Sequence, residues 1–242
     1  MLSDSRQFFK HVVTFSLFAS PLLLLASALI VPPFNGDEAE QLAAIAQAPD
    51  RYYLFTLLSF LSSALLVPVV LGLMYMLRHR APTLGNVGGS LALVGTLVSV
   101  GDAISQLFIW QMVAPGADQA QMTALLVRFD DAPGAALIFK IGGPSFVIGM
   151  VLLGIGLYRA RVVPAWIAAG LPIGAFLNIA GFVVGSNVLV AISCAVLLVS
   201  LGWIGRRALV AADTMPLCIM SGHGSHPARD AALHHTLAGH DH

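Results

Sequence analysis

Apolar residues gather into six long stretches along the chain, at about 12–31, 52–77, 87–113, 137–158, 163–184 and 188–205. A helix that crosses a bilayer needs about 20 mostly apolar residues, and each stretch meets or approaches that length. The pattern predicts an all-α, polytopic membrane helix bundle of six spans over 1–207, followed by a tail over 208–242. Two shorter segments between spans have a helical period of their own. In 118–130, Met122, Leu125, Leu126 and Phe129 fall at i, i+3, i+4 and i+7 behind a capping residue, Asp118. In 37–48, Leu42, Ile45 and Ala46 repeat the pattern more weakly behind Asp37. Such one-striped helices rest on the bilayer surface, or lie as a lid over the mouth of the bundle.

Composition agrees with a bilayer as the solvent. Of 242 residues 57% are hydrophobic and only 10% charged, against about 25% charged in soluble domains. The few charges are sorted by side. Arg6 and Lys10 precede the first span, Arg78 and Arg80 follow the second, Arg159 and Arg161 the fourth, and Arg206 and Arg207 the sixth. The opposite loops hold Arg51 and Arg128 among the acids Asp37, Glu38, Glu40, Asp50, Asp118, Asp130 and Asp131. Basic residues near span ends stay cytoplasmic, so both termini are expected in the cytoplasm. A rival reading of the start is a cleaved signal peptide ending at Ala26-Ser27-Ala28; the apolar run continues past it and is long enough to span. A net charge of zero gives no attraction to nucleic acid. Cys194 and Cys218 are too far apart to read as a metal pair, and a disulfide between a span and a cytoplasmic tail is not expected.

Within the spans one acid stands out. Asp102 lies about 16 Å below the outer end of the third span, at a rise of 1.5 Å per residue. A carboxylate near mid-bilayer costs roughly 2.5–3.5 kcal/mol on insertion scales, so it is expected to face other helices. Gln106 and Trp110 follow on the same face. Lys140 is the tempting partner, but it lies only about 5 Å below the surface and leans outward, which favours snorkelling to the headgroups. A polar layer of Asp102, Gln106, Lys140, Ser145 and Asn178 is the expected binding site, with Pro144 freeing the Lys140 carbonyl and Gly142-Gly143 loosening that turn. The competing reading is ordinary hydrogen bonding between helices. Glycines four apart, Gly85/Gly89, Gly170/Gly174 and Gly181/Gly185, allow close helix approach within the chain or against a partner or second copy.

The tail carries His223, His226, His234, His235, His240 and His242. Neutral imidazole suits zinc or copper, so the tract is a candidate metal-binding segment; its irregular spacing specifies no geometry, and its composition also fits a disordered tail with incidental histidines. Signatures of catalysis are missing: no HExxH, GxSxG, phosphate-cradling glycine loop or CxxC occurs. No histidine falls inside the predicted spans, which removes haem ligation across helices. An enzyme is therefore not the expected class.

The ends of spans two, four and six read LGLMYMLRHR, LGIGLYRAR and LGWIGRR, a weak parallel repeat. The acidic loop NGDEAEQLAAIAQAPDRYYLF, the segment LGLMYMLRHR and the turn LYRARVVPAWIAAGLPIGA resemble a broad group of uncharacterised bacterial six-span proteins of a domain-of-unknown-function family. The resemblance covers about 12–207 and implies a bacterial inner-membrane protein, with no established activity. Three functional expectations follow: an outward-facing polar pocket for a small molecule or ion in transport or sensing, a membrane scaffold with glycine-lined contact faces, and a metal-responsive protein using its tail. In intact cells, a cysteine placed beside Asp118 is expected to react with an impermeant thiol reagent, and one beside Arg80 or in the tail only after permeabilisation. Labelling of the tail from outside would overturn the charge argument.

Overall fold

The structure is a computed structural model that describes residues 2–32 and 38–213; Asp37 and the histidine tract lie outside the described residues. These fold as eight helices and no strand: α1 Leu2–Ile30, α2 Glu38–Gln47, α3 Pro49–Leu77, α4 Pro82–Met112, α5 Gln119–Asp130, α6 Pro133–Arg159, α7 Ala165–Val184 and α8 Asn187–Asp213. Six contain segments long and apolar enough to cross a membrane: His11–Ile30, Pro49–Leu77, Pro82–Met112, Lys140–Arg159, Ala165–Val184 and Asn187–Arg207. The protein is a multi-pass membrane protein. The shorter α2 and α5 lie at one end of the bundle, which we call the capped end. Arg78, Arg80, Arg159 and Arg161 mark the other, the arginine end. His11 opens the apolar segment of α1, one residue before the expected span.

Prolines start α3, α4 and α6, where a missing N–H leaves no helical bond unmade. Gly185 ends α7 in the left-handed conformation, at φ 69°. Two arginines act across the chain as caps. The Arg51 side chain donates to the carbonyl of Ile30 at the end of α1 (2.6 Å), and Arg80 Nη1 donates to the carbonyl of Ala160 after α6 (2.9 Å). Each cation meets the negative end of a helix dipole and satisfies a carbonyl that the helix cannot. The second bond also holds the turn in which Arg161 adopts φ 51°, a conformation costly for a side chain with a Cβ.

The spans form a ring, each touching the one before it. Between α1 and α3, Ser20 and Ser62 each donate to the other's backbone carbonyl (3.0 and 2.8 Å), and Val13 fills the hollow over Gly72. Between α3 and α4, Leu77 covers Gly85 and Met74 covers Gly89. Between α7 and α8, Ser200, Leu197 and Val190 occupy the space at Gly170, Gly174 and Gly181. The ring closes where Leu17 and Phe18 of α1 sit on Gly205 of α8. Of the glycine pairs, Gly85, Gly89, Gly170, Gly174 and Gly181 thus face helices of the same chain. The repeated LG motifs do not repeat their packing, since Gly72 and Gly202 meet α1 whereas Gly154 meets α7.

The closest approach is between α4 and α6. A Cβ on Gly149 would lie 2.3 Å from the Ala92 nitrogen and 2.7 Å from the Gly88 carbonyl oxygen. A Cβ on Gly88 would lie 3.1 Å from both the Gly149 carbonyl oxygen and the Leu153 nitrogen. Along the same seam Gly95 meets Phe146, and Gly142 meets Val98. Lipid supplies no hydrophobic drive to pair helices, so dispersion and weak Cα–H···O contacts between touching backbones must do so. The helix α6 runs unbroken through Pro144, which as expected cannot donate to the Lys140 carbonyl. The freed carbonyl with a visible use is instead that of Ala168: Pro172 cannot donate to it, and it lies against the bare face of Gly154.

Replacing Gly149 by alanine drives a methyl group into the α4 backbone. Overpacking of this kind costs about 1–3 kcal/mol, so Gly149→Ala should lower the melting temperature in detergent. Gly101→Ala on the same pair of helices, where a Cβ meets nothing within 4 Å, should be neutral or stabilising by up to about 1 kcal/mol. Equal melting of the two variants would remove the seam from the account of stability.

Candidate functional site

Near the capped end, α3 and α4 bring three polar side chains together. Asp102 and Gln106 are one turn apart on α4, with their side chains adjacent. From α3, the Tyr52 hydroxyl donates to Gln106 Oε1. Because that oxygen accepts from the phenol, the amide nitrogen of Gln106 is the group left to face the Asp102 carboxyl. The three form a directed line, phenol to amide to carboxyl, that runs inward from the helix ends. Asp102 lies about 15 Å along the axis from the end of α4 at Met112.

An apolar cap covers the Tyr52 end of this line. Leu42 and Ile45 of α2, Leu126 of α5 and Ile109 of α4 pack around Tyr52, which is 0% exposed. Phe55, Trp110 and Met122 fill in around them. Both short helices form where their stripes predict them. Asp118 caps α5 as expected, accepting from the backbone nitrogens of Ala120 (3.0 Å) and Gln121 (3.3 Å). Their location over Tyr52 gives the stripes a partner that spacing alone does not identify. The Tyr52 backbone is held too, since Thr56 Oγ1 donates to its carbonyl at 2.9 Å.

Of the five residues of the expected layer, the structure joins two, Asp102 and Gln106. Asn178 belongs to a different helix interface: its Nδ2 donates to Ser193 Oγ of α8 (3.1 Å), which in turn donates to the Val190 carbonyl (2.7 Å). Ser145 is half-buried on α6, and Lys140 is exposed there. Among the described residues no ion pair links Lys140 or any other cation to Asp102. Nor do the described residues include a group of three or more side chains suited to hold a metal ion.

Residues 12–209 match the family described as Domain of unknown function (DUF4386). The chain belongs to the DUF4386 family. Its six apolar helices give this DUF4386 protein a membrane-spanning fold, and the family's description assigns no activity. No curated protein matches the chain. No solved structure matches it either.

Tyr52 is the residue that sequence reasoning missed. It opens a predicted span, where an aromatic ring is common at the membrane boundary. The available signal is the pair Tyr52-Tyr53 beside an acidic loop, since a buried phenol needs an acceptor. Tyr52→Phe keeps the ring and removes the donor, which leaves the half-buried Gln106 Oε1 without its phenol. A cost of about 1–3 kcal/mol is expected, read as a lower melting temperature than that of Tyr53→Phe, whose ring is partly exposed and stacks on Trp110 at 4.7 Å.

Proposed function

We propose that this protein takes up a proton or a small cation at Asp102, entering from the capped end, in a transport or sensing role across a bacterial inner membrane. The capped end is the outer one in this reading, in line with the arginines at the opposite end. One observation carries it: a carboxyl group about 15 Å in from the end of α4, whose described neighbour is a neutral amide, with no cation paired to it among the described residues. A bare carboxylate in that setting is costly. A bound proton or a small cation removes that cost. Gln106 orients the carboxyl, and Tyr52 fixes the amide from the neighbouring helix. The cap of α2 and α5 then stands between the site and water, so occupancy and the position of the cap are linked.

Melting of wild type and Asp102→Asn in detergent across about pH 5–8, with and without sodium, potassium and calcium, tests this reading. Asparagine keeps the shape and can still bond Gln106, but it binds neither proton nor cation. Wild-type stability is expected to vary with pH or with one cation, and the Asn variant to lose that dependence while still folding. A wild-type curve indifferent to both, beside a more stable Asn variant, leaves Asp102 a packing residue and ends the proposal.

A further inference from the structure

The second short helix has two edges with different neighbours. At about 100° per residue, the apolar side chains of α5 run around its axis in the order Leu126, Met122, Phe129, Leu125, with Arg128 next beyond Leu125. The Leu126 side of this stripe is closed: Leu126 is 1% exposed and Met122 packs beside it under the cap. The other half is open, with Leu125 49% and Phe129 42% exposed and Arg128 exposed beside them. A single stripe is thus shared between the protein and something outside it.

We propose that the outer half of this stripe docks on phospholipid of the leaflet at the capped end. Leu125 and Phe129 lie among the upper acyl chains, and the Arg128 guanidinium sits on a lipid phosphodiester. Three features favour lipid. The order of two apolar side chains flanked by a cation is that of an interfacial helix, whose cationic edge meets headgroup phosphate. The level also fits: Tyr53 and Trp110 stack at the same end, and such rings gather at the membrane–water boundary. The open edge leads directly into α6, where Leu137, Ile138 and Ile141 are all exposed on a membrane-crossing helix. A second copy or another protein is disfavoured by size, because a stable interface needs roughly 1,200–2,000 Å² and this edge offers two apolar side chains. The contact ties the cap over Tyr52 to the leaflet beside it. It stands or falls independently of what Asp102 binds.

Nitroxide labels on Leu125→Cys and Phe129→Cys test the contact, with Ala124→Cys as a reference on the polar side of α5. Cys194→Ala and Cys218→Ser remove the native thiols. The full chain is reconstituted in bilayers of phosphatidylethanolamine and phosphatidylglycerol, and collisions with oxygen and with a water-soluble nickel chelate are compared. Labels at 125 and 129 should favour oxygen several-fold more than the label at 124, and Arg128→Gln should shift both toward water. Nickel access equal to that at 124 places the edge in water and overturns the proposal. Exclusion of both reagents means that protein covers the edge, which overturns it equally. A depth unmoved by Arg128→Gln overturns the phosphodiester contact.

Discussion

Two backbones in contact, those of α4 and α6, are the constraint on which the rest of the bundle depends. Gly88 and Ala92 on one helix and Gly149 on the other leave no room for a side chain between them. In a solvent as apolar as the side chains, helices gain little by merely hiding leucines, and shape decides which faces meet. Once this seam is set, α3 packs on the α4 face bearing Gly85 and Gly89, and α7 packs on the α6 face bearing Gly154. The polar line of Tyr52, Gln106 and Asp102 lies further along the same helices, toward the capped end.

Much of this architecture is legible in the chain. Six apolar runs and two striped connectors reappear as α1 to α8, because hydropathy and helical period are local properties; α1 begins well before its apolar run, at Leu2, and α8 runs on to Asp213, into the expected tail. Asp102 and Gln106 are legible for the same reason, being one turn apart on a single helix. What crosses between helices is not. Depth along the spans puts Asn178 and Gln106 at one level, yet level says nothing about azimuth, and Asn178 turns to Ser193 instead. Tyr52 depends on the rotation of α3 against α4, which the glycine contacts determine. Glycine spacing likewise predicts close approach without naming the neighbour.

The arginines show how one residue serves two levels of organisation. Their number and placement support a topology. Arg80 and Arg51 then close helix ends belonging to other parts of the chain, α6 and α1 respectively. Arg51 is an exception to the charge pattern of its side, and its bond to the Ile30 carbonyl supplies a structural reason for a cation there. A substitution at either position would therefore change helix termini as well as the charge balance of a loop.

The ring of spans also bears on how the protein is made. Each span packs on the one inserted just before it, from α1 with α3 through α7 with α8, so partners become available in the order of translation. The joint with the longest reach along the chain is the contact of Phe18 with Gly205, which joins α1 to α8. Until α8 emerges, Phe18 has no helix of this chain at that position and remains turned to lipid or to the insertion machinery. This joint can form only after α8 has been made, and a nascent chain stalled before α8 carries an open seam along α1.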